Sequence, residues 1–104
     1  MTPAYASPEM LEGHEPDPRD DIFALACIAY ELLTGHHPFG RTPSTVARDA
    51  GIIPHKPARL TKVQWRALAT GLAFRRSDRN AHAELLVAGL ASPLFVKHGR
   101  AEAV

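Results

Sequence analysis

An all-α fold is predicted by three features of this 104-residue sequence. From Ile22 to Tyr30 there is no charged residue, and the run is apolar on every side of a helical wheel. A surface helix shows one apolar stripe, so this pattern predicts a central helix with neighbours on every face. Helix punctuation recurs along the chain, as Ser7-Pro8, Asp20-Asp21, Thr42-Pro43, Thr61 with Gln64, and the glycines Gly35 and Gly51. No β-strand pattern, hairpin signal or internal repeat competes with it.

Residues 1–13 form an extended entry and a short helix. Pro3 biases Thr2 away from helix, Ser7 caps, Pro8 takes the first helical position and Glu9 suits the positive end of the helix dipole. Gly13 provides the exit, and 14–19, with Pro16 and Pro18, is a turn-forming connector. The central helix is predicted over 20–35, with Asp20 or Asp21 as its cap and Gly35 as its stop. After the loop His36-His37-Pro38-Phe39-Gly40, packing helices are predicted over 42–50, 61–73 and 81–90. The first starts on Thr42-Pro43. The second starts on a Thr61/Gln64 capping box and turns Trp65, Leu68, Ala69 and Leu72 to one face. The third sets Leu85, Leu86 and Leu90 inward. Between them, 51–59 is irregular and 74–80 is a charged connector. Residues 96–104 are a fraying tail.

This length suits one domain. A net charge of +1 forces neither a nucleic-acid nor an anionic-membrane partner. The one cysteine, Cys27, rules out an intrachain disulfide and fits a cytoplasmic setting. The apolar run is far shorter than the ~20 residues that span a bilayer, and Met1 to Ala6 lacks the layout of a signal peptide.

Three separated blocks resemble protein kinases of the bacterial eukaryotic-like (Hanks-type) serine/threonine class, from the end of the activation segment onward. Thr2-Pro3-Ala4-Tyr5-Ala6-Ser7-Pro8-Glu9 is similar to the end of that segment. Asp21-Ile22-Phe23-Ala24-Leu25-Ala26, running on to Gly35 and His37-Pro38-Phe39, resembles the large helix of the C-terminal lobe and its following loop. Arg79-Asn80-Ala81-His82-Ala83-Glu84-Leu85-Leu86 resembles the Arg-centred entry to the last helix. The resemblance covers about residues 2–95 and implies the lower half of a kinase C-lobe. Met1 stands where the family has Gly, which implies a start codon inside a longer frame. Ser7 replaces Ala, and Ala26 replaces Gly, both small for small.

The resemblance implies specific roles. Glu9 and Arg79 would form an ion pair tying the activation segment to the helical lobe, a task for which a bidentate Arg–carboxylate pair fixes direction as well as proximity. Thr2, Pro3, Ala4 and Tyr5 would form the loop under a protein substrate, with Thr2 favouring Ser or Thr acceptors. Glu31 would contact basic substrate side chains, although by itself it reads as a solvated residue near a helix end. Asp21 would anchor the catalytic loop. Within this chain that loop does not occur, so Asp21 is expected to cap its own helix.

The sequence contains no Gly-rich phosphate loop, strand Lys, His-Arg-Asp catalytic loop or Asp-Phe-Gly metal ligand. Phosphoryl transfer depends on those parts to place ATP and Mg²⁺. No catalytic residue, cofactor or metal site is therefore expected in this chain. ATP and Mg²⁺ are implied for the full-length kinase, and a protein with a Ser or Thr acceptor as its substrate. A non-catalytic interaction module or pseudokinase remnant is the alternative. Four short helices leave apolar surface on the central one, so self-association or dye binding is expected. DNA binding is a second alternative, because Ser44 to Ile52 resembles the start of a helix-turn-helix. Pro54 and Pro57 then block a recognition helix. The adjacent His36 and His37 point apart, which disfavours zinc. Cys27 in apolar surroundings is a poor nucleophile.

Overall fold

Proline and a capping acid begin the longest element. In the computed structural model, which describes residues 3–80 and 82–91, the helices are α1 (Pro8–Leu11), α2 (Pro18–Thr34), α3 (Ser44–Ala50), α4 (Lys62–Gly71) and α5 (83–91). Single 3₁₀ turns occupy Pro3–Tyr5 and Arg76–Asp78. Among the described residues there is no strand. Thr2, Ala81 and the tail at 96–104 lie outside the described residues.

The cap of α2 corrects the sequence expectation. Asp17 performs it, not Asp20 or Asp21, and the helix opens on Pro18. Asp17 accepts the Arg19 N–H at 2.9 Å, while Asp20 at the third helical position accepts the Asp17 N–H at 3.0 Å. Asp17-Pro18 supplies a cap followed by a ready-set φ, so it outcompetes acids further in. Asp21, one position past this box, is exposed in the first turn. Gly35 closes α2 at φ 78°, in the left-handed region.

The other boundaries shift by one or two residues. Thr42 does not cap α3: Pro43 takes the cap position without a side-chain bond. Ser7 accepts the Met10 N–H at 3.2 Å, and Thr61 and Gln64 form the reciprocal capping box. Residues 52–57 have no regular structure, so no second helix follows α3 at helix-turn-helix spacing.

Burial of α2 is one-sided. Ile22, Phe23, Ala26, Cys27 and Tyr30 enter the core with Phe39, Ala47, Leu60, Leu68, Leu72 and Leu86. Phe23 stacks on Phe39 at 6.1 Å between centroids, and Trp65 of α4 leans on Tyr30 at 6.3 Å. At Gly71 a Cβ would lie 2.9 Å from the Ala26 Cβ, so a side chain there would push α4 off α2. On the opposite side Leu25 and Ile28 are 39% and 41% exposed, and Leu32 82%. The predicted cover on every face is thus incomplete. The shorter helices reach one side of a 17-residue rod, leaving the row at helical spacing from Asp21 through Leu32 open. Leu85 is also exposed, because α5 turns only Leu86 fully inward. No described helix is long and apolar enough to cross a membrane.

Candidate functional site

Residues 3–9 form the segment that the rest of the chain holds in place. The Pro3–Tyr5 turn is closed by the Ala6 N–H on the Pro3 carbonyl at 3.2 Å, and Pro8 then starts α1. Ser7, fully buried, caps α1 and donates to Asp20 Oδ1 at 2.8 Å. One hydroxyl therefore links the cap of the short helix to the first turn of α2.

Glu9 and Arg79, 70 positions apart, meet directly, with Nη2 donating to Oε1 at 2.6 Å. The Arg76 N–H occupies the other carboxylate oxygen at 2.8 Å. The Arg79 side chain is fully shielded from solvent. Its remaining donors reach the carbonyls of Ala73 at 2.8 Å, Arg19 at 3.2 Å and Phe74 at 3.1 Å. The guanidinium also lies 5.0 Å from the centroid of the Phe23 ring. A planar fork with several fixed donors serves one carboxylate and three carbonyls at once, which an ammonium could not do. The arrangement joins α1, α2 and the 73–79 connector at one point.

Burial alone would raise the Glu9 carboxyl. Bonds from the Arg79 side chain and from backbone N–H groups, with the charge of Arg79, outweigh it and hold the group below its ordinary value of 4.5. Glu12, Asp17 and Glu31 are lowered too, chiefly by hydrogen bonds from Arg48, Arg19 and Tyr5 respectively. A carboxyl lowered in the folded state adds stability that is complete above its unfolded pKa and lost as pH falls through the folded one. Urea midpoints are therefore expected to be level near neutrality and to fall progressively below about pH 4.5. Glu9→Gln should flatten that acid limb in part. An unchanged limb would show that the Glu9 carboxylate is not held in this way.

The turn itself is pinned by the last turns of α2, the loop after it and the first residue of α3. The Tyr5 hydroxyl donates to Glu31 Oε1 at 2.5 Å, and Ser44 Oγ donates to the Ala6 carbonyl at 2.8 Å. His37, buried, accepts the Phe39 N–H on Nδ1 at 3.0 Å and so donates from Nε2 to the Ala4 carbonyl at 2.7 Å. Arg41 Nη2 reaches Glu31 Oε2 at 3.0 Å. Glu31 is thus not a freely solvated residue: both of its carboxylate oxygens are engaged within the chain. The structure brings Pro3, Ala4, Tyr5 and Glu31 together, and separately Glu9 and Arg79. Asp21 joins neither group, standing exposed beside an open groove with Met10 and His14.

Sequence reasoning offered Asp20 only as a helix cap and His37 only as part of a motif block, and gave Ser44 and Arg76 no part in this site. Asp20 takes Ser7, the Asp17 N–H and, at 3.3 Å, Arg76 Nη2. The Asp17-x-x-Asp20 spacing could have revealed Asp20 as half of a capping box, but no local pattern reveals the partners of the other three. Cys27 is buried, and desolvation pushes its thiol up to about 12, so it is not poised as a nucleophile.

Among the described residues no three His, Cys, Asp or Glu side chains are grouped where they could hold a metal ion. The sequence supplies no Gly-rich loop to take phosphates.

The sequence pattern described as Protein kinase domain matches residues 1–82. The chain is 33% identical over 107 residues to the serine/threonine-protein kinase PknL of Mycobacterium tuberculosis, an overlap of 90% of this chain and 27% of that protein. It is 32% identical over 84 residues to the serine/threonine-protein kinase drp72 of Corynebacterium efficiens, covering 80% of this chain and 16% of that one. A shorter match, 47% over 47 residues, joins it to the serine/threonine-protein kinase PknB of Mycobacterium leprae, covering 44% of this chain and 8% of the relative. The chain spans about a quarter of the length of the first of these curated relatives and less of the others.

Proposed function

The chain belongs to the protein kinase domain family, and from that membership we propose that it forms the substrate-facing and scaffold part of a serine/threonine protein kinase. In the whole kinase, ATP with Mg²⁺ supplies the γ-phosphate that passes to a Ser or Thr hydroxyl of a protein substrate. This chain's share is to hold the loop against which the substrate lies. The Glu9–Arg79 clamp is the observation that carries this reading. It fixes one end of residues 3–9 to the helical body, while Tyr5, His37 and Ser44 fix the other. Positioning of this kind is what phosphoryl transfer requires of the protein outside the nucleotide site. In this reading Asp21, exposed in the first turn of α2, accepts backbone N–H groups of a catalytic loop from the rest of such a kinase. The setting that suits this function is the cytoplasm.

By itself the chain neither binds ATP nor transfers phosphate. Incubated with Mg²⁺, radiolabelled ATP and a Ser/Thr-rich protein, it is expected to leave the label on the nucleotide, and a fluorescent ATP analogue should bind no more than to a denatured control. Saturable micromolar nucleotide binding would overturn the division of labour. Reading the DNA upstream of the Met1 codon tests the parentage, since in-frame codons for the nucleotide-binding and catalytic loops would support it.

One observation favours a second reading, a non-catalytic interaction module. Leu25, Ile28 and Leu32 form an apolar row open to water. Such a row marks an interface or an aggregation-prone face. The purified chain is expected to bind a hydrophobic dye or to self-associate in sedimentation, and Leu25→Glu with Ile28→Glu should abolish both. A sharply melting monomer without dye binding would count against it.

A further inference from the structure

Position 41 combines two features that do not follow from folding alone. Arg41 is the non-glycine residue of the described chain with a positive φ, 64°, a conformation in which glycine is unstrained. The backbone is held there by the Gly40 N–H on the His37 carbonyl at 3.2 Å and the Thr42 N–H on the Phe39 carbonyl at 3.0 Å. Yet the position carries a long cation, and its side-chain contact among the described residues is Glu31 Oε2 at 3.0 Å. The two side chains are unequally covered, Glu31 24% exposed and Arg41 61%. The carboxylate is thus part of the pinned turn, with Tyr5 on its other oxygen, while the guanidinium rests on it from outside.

We propose that Arg41 is a specificity-determining residue, a built-in occupant of Glu31 that takes the acceptor an arginine or lysine side chain of a bound peptide would otherwise use. This rests on the reading of residues 3–9 as a substrate loop and deepens it. With Arg41 in place, a peptide lying on the Pro3–Tyr5 turn meets a neutralised pair and gains nothing from a basic residue there. Without Arg41, the same carboxylate is half-covered, ionised and one oxygen short of a partner. Such a group binds a guanidinium by a charge-assisted hydrogen bond. Because the contact is largely solvent-exposed, its strength is modest and salt-sensitive. The selectivity of the loop is therefore set by what stands at position 41 as much as by Glu31.

The test uses the full chain and three variants, Arg41→Gly, Arg41→Gln and Arg41→Gly with Glu31→Gln. Glycine suits the positive φ, and glutamine keeps the length while removing the charge, so one of the two retains the loop even if the other disturbs it. Each protein, ¹⁵N-labelled, is titrated with acetyl-Gly-Arg-Gly-amide and with its uncharged citrulline analogue. Arg41→Gly and Arg41→Gln are expected to bind the arginine peptide about two- to fivefold more tightly than the parent, with shifts centred on Tyr5 and Glu31. The gain should vanish with Glu31→Gln, shrink in salt and be absent for the citrulline peptide. Equal affinity in the parent and both position-41 variants would overturn the proposal, as would a gain that survives loss of Glu31. The titration reads only the occupancy of one carboxylate, so its outcome is distinct from that of the nucleotide-binding and upstream-codon tests of the kinase reading.

Discussion

Arg79→Met is expected to destabilise the chain by about 3–5 kcal/mol, the cost of breaking a buried ion pair by removing one partner. The substitution leaves the Glu9 carboxylate without its closest partner and strips a donor from the carbonyls of Ala73, Phe74 and Arg19. Methionine keeps an unbranched apolar chain of similar length in the buried position, so the loss is mainly electrostatic and polar and not one of volume. Domains of this size have about 5–15 kcal/mol in total, so much of the margin would go. Arg79→Lys should fall between, because an ammonium keeps the charge but not the fork. Urea unfolding of the three proteins at pH 7 measures it. A methionine variant within about 1 kcal/mol of the parent, the range of an exposed pair, would mean that the Glu9–Arg79 clamp does not hold the segment.

Phe23→Ala is expected to cost a similar ~3–5 kcal/mol by a different route, since truncating a fully packed aromatic leaves a cavity. Phe23 is completely buried, stacked against Phe39, which in turn meets Phe74 at a centroid distance of 5.1 Å. Its ring also carries the Arg79 guanidinium at 5.0 Å. The two predictions are therefore coupled. The double variant should lose less than the sum of the singles, because removing the ring already loosens the guanidinium. Phe23→Leu, which keeps most of the volume, should cost less than about 1.5 kcal/mol. Strict additivity would show that the aromatic cluster and the clamp are independent. Near-equal losses for alanine and leucine would point to ring-specific contacts over volume.

The comparison of sequence with structure separates along physical lines. Ser7, Thr61 with Gln64, Gly35 and Gly51 act within a few residues of chain, and each ends or begins a helix as its chemistry dictates. Where two local signals competed, the reading slipped: Asp17-Pro18 offered a cap and a preset φ together, and that combination moved the start of α2 away from Asp20 and Asp21. Glu9 and Arg79 were singled out because three motif blocks framed them, not because either residue advertises a partner. Asp20, Ser44 and Arg41 lay outside those blocks, and His37, though inside one, carried no sign of its partner. Their partners lie 13 to 38 positions away, or across a turn whose geometry no local pattern encodes.

By itself, then, the sequence determined the helical character, most helix ends, and which blocks of residues belong to the kinase pattern. The first two follow from φ preferences, capping bonds and apolar periodicity, all of them short-range; the third rests on the resemblance of three motif blocks to the family. Tertiary structure alone decided which side of α2 is covered. It also decided that the buried acid is Asp20 and the exposed one Asp21, and that Glu31 is already paired with Tyr5 and Arg41. Adjacent residues on a helix point about 100° apart. Which of two neighbouring acids meets an arginine is fixed only when another helix arrives, and the energy that selects it is released on burial.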